Sequence, residues 1–380
     1  MKKFVFLSSL AVVAAVACTK TEFTPVANKE AQIVFNSPIV QLNSKAGHFG
    51  EQPETSGKYS TDESFKVFAT WTSGDYAAAD WGTTLYMDGV EVKYNSSLGS
   101  SDPARGAWEP STAYYWPKNG KLTFAGYSPA SLANEAATPS SPTVSYGADG
   151  LKVTGFEVDP APAKQFDFMY AERSYNRTSS SNKSTAGTGH TSQSYDGVDL
   201  MFHHALSSIK FKVNSDGSVE NTEFTLKKIE ILNAQYKGDF KENIVDDATY
   251  SSTPAWANDE ATVDYSVWSG SEKVENTGYA EPAGISDVIL LPQAFKRSSA
   301  DKNVKVVITY DVTTNGVTLS AQKAEFDLAN GYEDTSNNKI TAWEMGKRYT
   351  YRVYFTLNKI YFSPEVNNWV DVDMKEFDVL

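Results

Sequence analysis

The feature that most constrains this chain is a period of two in its apolar residues, which recurs along most of its length. The runs with this alternation are residues 32–35, 65–69, 121–125, 208–213, 224–231, 304–312, 349–357 and 370–379. A period of two places alternate side chains on opposite faces of a β-strand, so each sheet can bury one face. Gly, Pro, Asn, Asp and Ser separate the runs, as turn residues do. The sequence therefore predicts an all-β chain of antiparallel sheets packed as β-sandwiches.

The length of 380 residues favours two domains, because single hydrophobic cores tend to stop growing at roughly 250–300 residues. A Pro-rich connector at residues 159–163 is stiff, because each proline fixes its own backbone and restricts the residue before it. We therefore predict an N-terminal sandwich domain at 31–160 and a C-terminal one at 161–380. Alternatively, this connector and the Ala/Ser/Pro-rich stretch 130–145 are both loops of one domain, since residues 151–158 between them have a strand pattern.

The N-terminus has the pattern of an export signal, with two lysines after Met1 and then an apolar run that ends in small residues. Cys18 is the only cysteine, and its position favours a lipobox: residues 1–17 are the signal peptide, and the Cys18 thiol receives a diacylglyceryl group. Residues 18–30 would then form a polar tether. Ordinary signal cleavage after Ala17 is the alternative. With no second cysteine, we expect no internal disulfide.

Charged and titratable residues give little evidence of a catalytic or metal-binding site. A net charge of −13 disfavours binding to nucleic-acid phosphates. The sequence contains no HExxH or GxSxG motif and no phosphate-binding P-loop. His203 and His204 are adjacent, so in a strand they point to opposite faces and cannot hold one metal ion together. We therefore expect no catalytic residue, no metal site and no cofactor, and we do not expect an enzyme.

Aromatic motifs are more specific. In order along the chain they are YYWP…LTFAGYSP (114–129), FDFMYA (166–171), VDLMFHHALSSI (198–209), LLPQ (290–293), WEMGKRYTY (343–351) and IYFSPEVNNW (360–369). Together they resemble the fimbrillin family, the type V pilins and fimbrillin-like lipoproteins of Gram-negative outer membranes. The resemblance extends over most of the chain, from the lipobox to the C-terminus.

The resemblance implies two tandem transthyretin-like β-sandwich domains in a subunit that reaches the outer membrane as a lipoprotein. It also implies trimming by an Arg- or Lys-specific protease, which removes the first strand and opens a hydrophobic groove. A strand from the next subunit then fills the groove by β-augmentation, in which main-chain hydrogen bonds form along an open edge. Partners would be other fimbrial subunits, the outer membrane through the lipid, and an unidentified surface receptor.

The parts needed for this assembly can be assigned in the sequence. The removed strand would lie within residues 31–45, with a cut after Lys45 in a small, polar segment of the kind that tolerates proteolysis. Lys29 and Lys58 are alternative cut sites. The side chains that would fill the groove are Ile33, Phe35 and Val40.

A donor strand would come from the C-terminal tail. Its apolar residues are Val370, Val372, Met374, Phe377 and Val379. The pair at 375–376 shifts the alternation by one residue, as a β-bulge would. The tail could instead be the last strand of its own sheet.

Two other functions fit the sequence. In the first, the chain is a tip or anchor subunit that keeps its lipid and is never cut. In the second, it is a surface glycan-binding lipoprotein. The rings that would stack on sugars are Trp81, Trp108, Tyr114 and Trp116, although such residues also commonly close the ends of a sandwich core.

Overall fold

The computed structural model describes residues 32–36, 38–40, 59, 62–73, 81–97, 108–117, 121–133, 141–177, 183–186, 191–193, 197–198, 200–246, 251–334 and 336–369. Within these ranges there is no α-helix; short 3-10 turns occur at Ala130–Ala133, Pro162–Lys164, Ala300–Lys302 and Leu328–Asn330. The remaining elements are β-strands, most of them in antiparallel pairs. The all-β sandwich prediction is confirmed.

The strands fall in two groups along the chain. The first group is β1 (Ile39–Val40), β2 (Ser64–Thr72), β3 (Thr84–Tyr94), β4 (Trp108–Pro110), β5 (Lys121–Ser128), β6 (Thr143–Gly147), β7 (Gly150–Glu157), β8 (Met169–Arg177), β9 (Lys183–Ala186), β10 (Thr191–Gln193) and β11 (Met201–His204). The second group is β12 (Ser207–Ser215), β13 (Thr222–Gln235), β14 (Lys237–Lys241), β15 (Ile244–Asp246), β16 (Ser251–Ser252), β17 (Ala255–Asn258), β18 (Thr262–Lys273), β19 (Val288–Leu290), β20 (Gln293–Ala294), β21 (Lys305–Thr314), β22 (Val317–Asp327), β23 (Tyr332–Glu333), β24 (Lys339–Ile340), β25 (Ala342–Trp343), β26 (Lys347–Phe355) and β27 (Ile360–Asn368).

The N-terminal unit is a nine-stranded sheet in the order β1-β11-β8-β5-β2-β3-β4, with β9 on β8 and β10 on β9. Its central strand β5 is buried along its whole length. Leu122 and Phe124 point into the first core, whereas Tyr127 belongs to the second, larger core. The sheet is therefore covered on both faces at its centre, which is why β5 lacks the exposed face that alternation usually implies.

The C-terminal unit is a sandwich of two four-stranded sheets, β19-β12-β26-β27 and β18-β13-β21-β22. Within the first sheet, β12 and β26 run parallel. Inward residues such as Phe211, Ile229 and Val353 are fully buried, and they alternate with half-buried polar neighbours. This period-two burial is the pattern from which the sequence predicted strands here.

Strands before and after residue 160 share sheets. Strands β8 and β11 follow that residue but pair within the nine-stranded N-terminal sheet. A further sheet, β17-β14-β7-β6, joins residues 143–157 to residues 237–258. The sheets therefore do not divide at residue 160; the chain passes from the first large sheet to the C-terminal sandwich between His204 and Ser207. The predicted domain limits of 31–160 and 161–380 stay a prediction about folding units.

Candidate functional site: an inserted N-terminal segment

The N-terminal segment, residues 32–36 and 38–40, lies between two edges of the N-terminal sheet. On one side the amide nitrogens of Ile33 and Phe35 donate to the carbonyl oxygens of Tyr114 and Trp108, both at 2.8 Å. On the other side, Val198 donates to the Val34 carbonyl at 2.8 Å. Strand β1 then continues in parallel along β11. The segment is thus hydrogen-bonded on both flanks, so its main chain completes the sheet between β4 and β11.

Two side chains of the segment form part of the first core. Ile33 and Phe35 are both 0% exposed. The Phe35 ring meets Phe65 and Phe124 edge-on, with centroid separations of 6.0 and 5.7 Å. Burial of an aliphatic or aromatic side chain contributes roughly 1.5–3 kcal/mol, so these two residues hold the segment strongly. Both belong to the set predicted to fill the groove; the third, Val40, has a described backbone in β1, but its side chain lies outside the described part.

The contact on the Val198 side of the segment requires a glycine. Gly197 has a φ of +99°, a backbone conformation that L side chains rarely adopt. A Cβ atom at this position would also lie 2.5 Å from the Asn36 side-chain oxygen. The backbone of residue 197 can therefore approach the segment closely only because it carries no side chain.

Tyr59 fixes the chain after the segment. Its ring is buried, its hydroxyl lies 2.6 Å from the Ser128 hydroxyl, and it donates to the Ser64 carbonyl at 3.0 Å. The described backbone is therefore held at Val40 and again at Tyr59. A cut between these two points would free the segment from the rest of the chain. Of the predicted cut sites, Lys45 and Lys58 lie in that interval and Lys29 precedes the segment.

Several predicted site residues lie outside the described residues. They are Cys18, Lys29, Lys45 and Lys58, and the tail residues Val370, Val372, Met374, Phe377 and Val379. Their assignments stay predictions.

The base of the C-terminal tail is well defined. Trp369 is buried, and its amide donates to the Gly346 carbonyl at 2.8 Å. Its ring stacks on His204 with centroids 4.1 Å apart and planes 14° apart. His204 in turn contacts Asp167 through Nδ1 at 2.5 Å. The chain therefore enters the tail from a fixed point beside β11, the strand that pairs with the N-terminal segment.

The two adjacent histidines have separate partners. His203 Nε2 lies 2.7 Å from Glu172, whereas His204 contacts Asp167. Within the described ranges no three His, Cys, Asp or Glu residues are grouped so that they could hold a metal ion. No helix in that part of the chain has the length and apolar character needed to cross a bilayer.

Glu63 lies beside the Tyr59 anchor, and the pKa of its carboxyl is raised to about 7. Burial is the largest cause, and the negative charges of Asp167 and Asp62 add to it. Loss of hydration disfavours the carboxylate, and so do neighbouring negative charges. The proton on Glu63 therefore comes off close to neutral pH.

The aromatic residues of the glycan-binding hypothesis lie mostly in or against the core. Trp108 is 1% exposed, so its faces cannot stack on a sugar. Trp116 packs edge-on against Phe124 at 5.7 Å, and Tyr114 supplies the carbonyl that binds the N-terminal segment. Trp81 is half-buried, with the Arg173 guanidinium 4.8 Å and the Tyr146 ring 4.5 Å from its ring centroid. For Trp108 the assignment as a sugar-stacking ring is wrong, and core packing explains it.

Sequence reasoning missed a buried cation. Arg173 on β8 is 0% exposed, and its Nη2 donates to the carbonyls of Gly147 and Ala148, both at 2.8 Å. Its guanidinium lies over the rings of Trp81 and Tyr146. It thereby ties the β6–β7 turn to the N-terminal sheet. No local pattern distinguishes this arginine from an exposed one, because its partners are distant in sequence.

These features define a class: an all-β sandwich protein in which an N-terminal segment completes a sheet. The sequence model of the fimbrillin-like family matches residues 55–369. The chain belongs to this family of fimbrial and cell-adhesion proteins.

Solved structures similar to this chain come from Bacteroides and Porphyromonas species. A fimbrial protein from Bacteroides vulgatus is 18% identical, with a TM-score of 0.49, and the match covers 90% of this chain and 100% of that one. A putative cell adhesion protein from Bacteroides uniformis is 14% identical, with a TM-score of 0.47, over 90% and 99% of the two chains. The C-terminally truncated tip fimbrial protein Mfa3 from Porphyromonas gingivalis is 12% identical, with a TM-score of 0.35, over 81% and 94%. A search among curated proteins finds no match.

Proposed function

We propose that the chain is a structural subunit of a surface fimbria, which assembles by protease-triggered exchange of the N-terminal segment and supports adhesion. The observation that carries the proposal is the position of that segment. It supplies main-chain hydrogen bonds to both flanks and two fully buried side chains to the core. It is also separated from the Tyr59 anchor by residues that include Lys45. A single cut there would leave an essential strand held only by non-covalent contacts.

Loss of the segment would expose an apolar groove with unpaired backbone groups. The amide of Trp108 would lose the Phe35 carbonyl, and the amide of Val198 would lose the Val34 carbonyl. Unpaired strand edges with apolar pockets recruit extended peptides by β-augmentation. The tail residues 370–379 have the apolar alternation that such a groove requires, interrupted by one shift. In the proposed fibre, this tail comes from the next subunit.

The geometry of such an exchange favours an open filament. Each subunit would offer one groove and one tail, and a head-to-tail contact of this kind continues indefinitely unless it closes into a ring. Before the cut, a lipid on Cys18 would hold the subunit at the outer membrane. After the cut, Cys18 would leave with the segment. The proposed locations are therefore the outer membrane first and the surface fimbria afterwards, with other fimbrial subunits as partners.

Limited proteolysis of the chain without its signal peptide tests the proposal. Treatment with a trypsin-like protease should give a ladder of multimers that resists mild denaturant. The double variant Lys45→Gln/Lys58→Gln should abolish the ladder, because it removes both predicted cut sites between Val40 and Tyr59. The matched variant Lys29→Gln should leave the ladder intact, because a cut at residue 29 does not free the segment. A trimmed monomer that never assembles would contradict a polymerising subunit and would favour a tip or anchor role.

A further inference from the structure

The outer face of the β19-β12-β26-β27 sheet carries a row of three tyrosines. Tyr354 on β26 and Tyr361 on β27 are direct cross-strand partners, with ring centroids 6.4 Å apart. Tyr279 lies on the other side of Tyr354, again at 6.4 Å. It is held there because Val213 and Ala280 exchange two backbone hydrogen bonds of 2.8 and 3.0 Å. Tyr279 and Tyr361 are 41% and 52% exposed, so the row is open to solvent on a fixed backbone.

Three basic residues lie on the strands that carry this tyrosine row or next to them. The Arg352 guanidinium lies 5.6 Å from the Tyr279 ring centroid, and the Lys359 ammonium lies 5.0 Å from that of Tyr361. Lys212 is the register neighbour of Arg352 on β12. Arg352 is bound to Glu365, but Lys212 and Lys359 make no ion pair within the described part of the chain. On a chain with a net charge of −13, two such lysines beside exposed rings form a local site for a negative charge.

The tyrosine row lies far from the proposed exchange site. Tyr361 is near the start of β27, whereas Trp369, where the tail begins, follows its end. A strand rises about 3.3 Å per residue, so the two places are separated by roughly 25 Å. A ligand on the row would therefore leave the base of the tail free. This inference does not depend on strand exchange.

We propose that the tyrosine row binds a glycan that carries carboxylate groups. Tyrosine rings offer an apolar face to the C–H face of a sugar and a hydroxyl to its polar edge. The Lys359 ammonium beside the Tyr361 ring, and Lys212 in register with Arg352, supply positive charge that attracts carboxylates. A peptide taken up by strand addition would need the free edge of β27, whereas the rings lie on the face of the sheet. The proposed sugar site is therefore the tyrosine row and not the core residue Trp108.

Binding to defined sugars tests the proposal with the whole mature chain. The probes are 3′-sialyllactose and polygalacturonate, each compared with a neutral counterpart, lactose and fully methyl-esterified polygalacturonate. Titration should show tighter binding to the carboxylated member of at least one pair. Tyr361→Ala should weaken that binding roughly three- to tenfold, and Tyr361→Phe should retain most of it, because the ring face is kept.

Charge is tested separately. Lys359→Gln should weaken binding to the carboxylated probe and leave the neutral one unchanged. The controls are Lys323→Gln and Leu319→Ala on the exposed strand β22, and thermal unfolding confirms that each variant is folded. Failure to bind either carboxylated probe, or binding that Tyr361→Ala and Lys359→Gln do not change, would overturn the proposal. Binding of poly-glutamate but of neither sugar would assign the row to an acidic peptide instead.

Discussion

Phe35 meets Phe124 edge-on, with ring centroids 5.7 Å apart and ring planes at 90°. Phe124 lies on β5, the central strand of the N-terminal sheet, whereas Phe35 comes from the segment that the proposed cut would release. Strand β5, which is buried along its whole length, therefore packs against a side chain whose covalent link to the sheet runs through the connection after Val40. This relationship makes removal of the segment costly unless another strand replaces it.

Truncation of Phe35 should weaken the uncut protein strongly. Phe35→Ala should lower the free energy of unfolding by about 3–5 kcal/mol, because it leaves a cavity in a close-packed core. Urea unfolding followed by fluorescence would measure the loss. The matched control is Val317→Ala on β22, where the side chain is 67% exposed and the change should stay within about 0.5 kcal/mol. Equal effects of the two substitutions would show that the segment is not part of the core.

Glu63 should make stability depend on pH near neutrality. Its pKa is raised from 4.5 to about 7, so the folded state holds the proton more tightly than the unfolded chain does. The free energy of unfolding should therefore fall as pH rises from about 4.5 to 7 and level off above that range. Glu63→Gln should remove this decline and stabilise the protein most at about pH 8.

The control for this prediction is Asp88→Asn, which changes an exposed carboxyl on β3. Thermal unfolding across the pH range is the measurement. A decline of the same slope in Glu63→Gln and in the unmodified protein would assign the pH dependence to another group.

Arg173 should be essential for the contact between the N-terminal sheet and the β6–β7 turn. Arg173→Ala would leave the Gly147 and Ala148 carbonyls without their donor, and we expect a loss of about 2–3 kcal/mol, because hydrogen bonds to a charged group contribute about 1.5–3 kcal/mol. Arg173→Lys should recover only part of the lost stability, because an ammonium group lacks the planar guanidinium geometry that reaches both carbonyls. Lys93→Ala, which changes an exposed side chain on β3, is the control. Full stability of Arg173→Ala in chemical unfolding would refute this role.

The lipid on Cys18 should be transient. Mass spectrometry of the N-terminus should find acylated Cys18 on subunits in the membrane fraction and Ala46 at the start of subunits in sheared fibres. Cys18→Ala should shift the uncut protein out of the membrane fraction. Acylated Cys18 in assembled fibres would instead mark the chain as a permanently anchored subunit.

The sequence was sufficient for the class of fold and for two buried residues of the N-terminal segment. Alternation identified strands such as β2, β12 and β13, because each has one buried face. The same pattern, with the family resemblance, singled out Ile33 and Phe35, which are both fully buried. Alternation of apolar residues predicts strands well where a strand buries only one of its two faces.

Features that depend on distant pairing could not be predicted in this way. The chain passes from the first sheet to the C-terminal sandwich near residue 205, because β8 and β11 pair back into the first sheet. Trp108 is a sugar-stacking candidate by sequence, but the rings of Tyr59, Phe65 and Tyr94 pack around it in the core. The Arg173 cluster and the tyrosine row likewise bring together residues from separate strands. Such contacts follow from topology, which the spacing of apolar residues does not specify.

The central claim is that the tail of one subunit takes the place of the N-terminal segment in the next. A photoreactive amino acid in place of Val372 would report the partner of the tail in protease-assembled ladders. The account predicts cross-links between subunits, to peptides that contain Trp108–Pro110 or residues 197–202, and only after the cut at Lys45. Cross-links confined to β26 or β27 of the same chain, or unchanged by the cut, would contradict it.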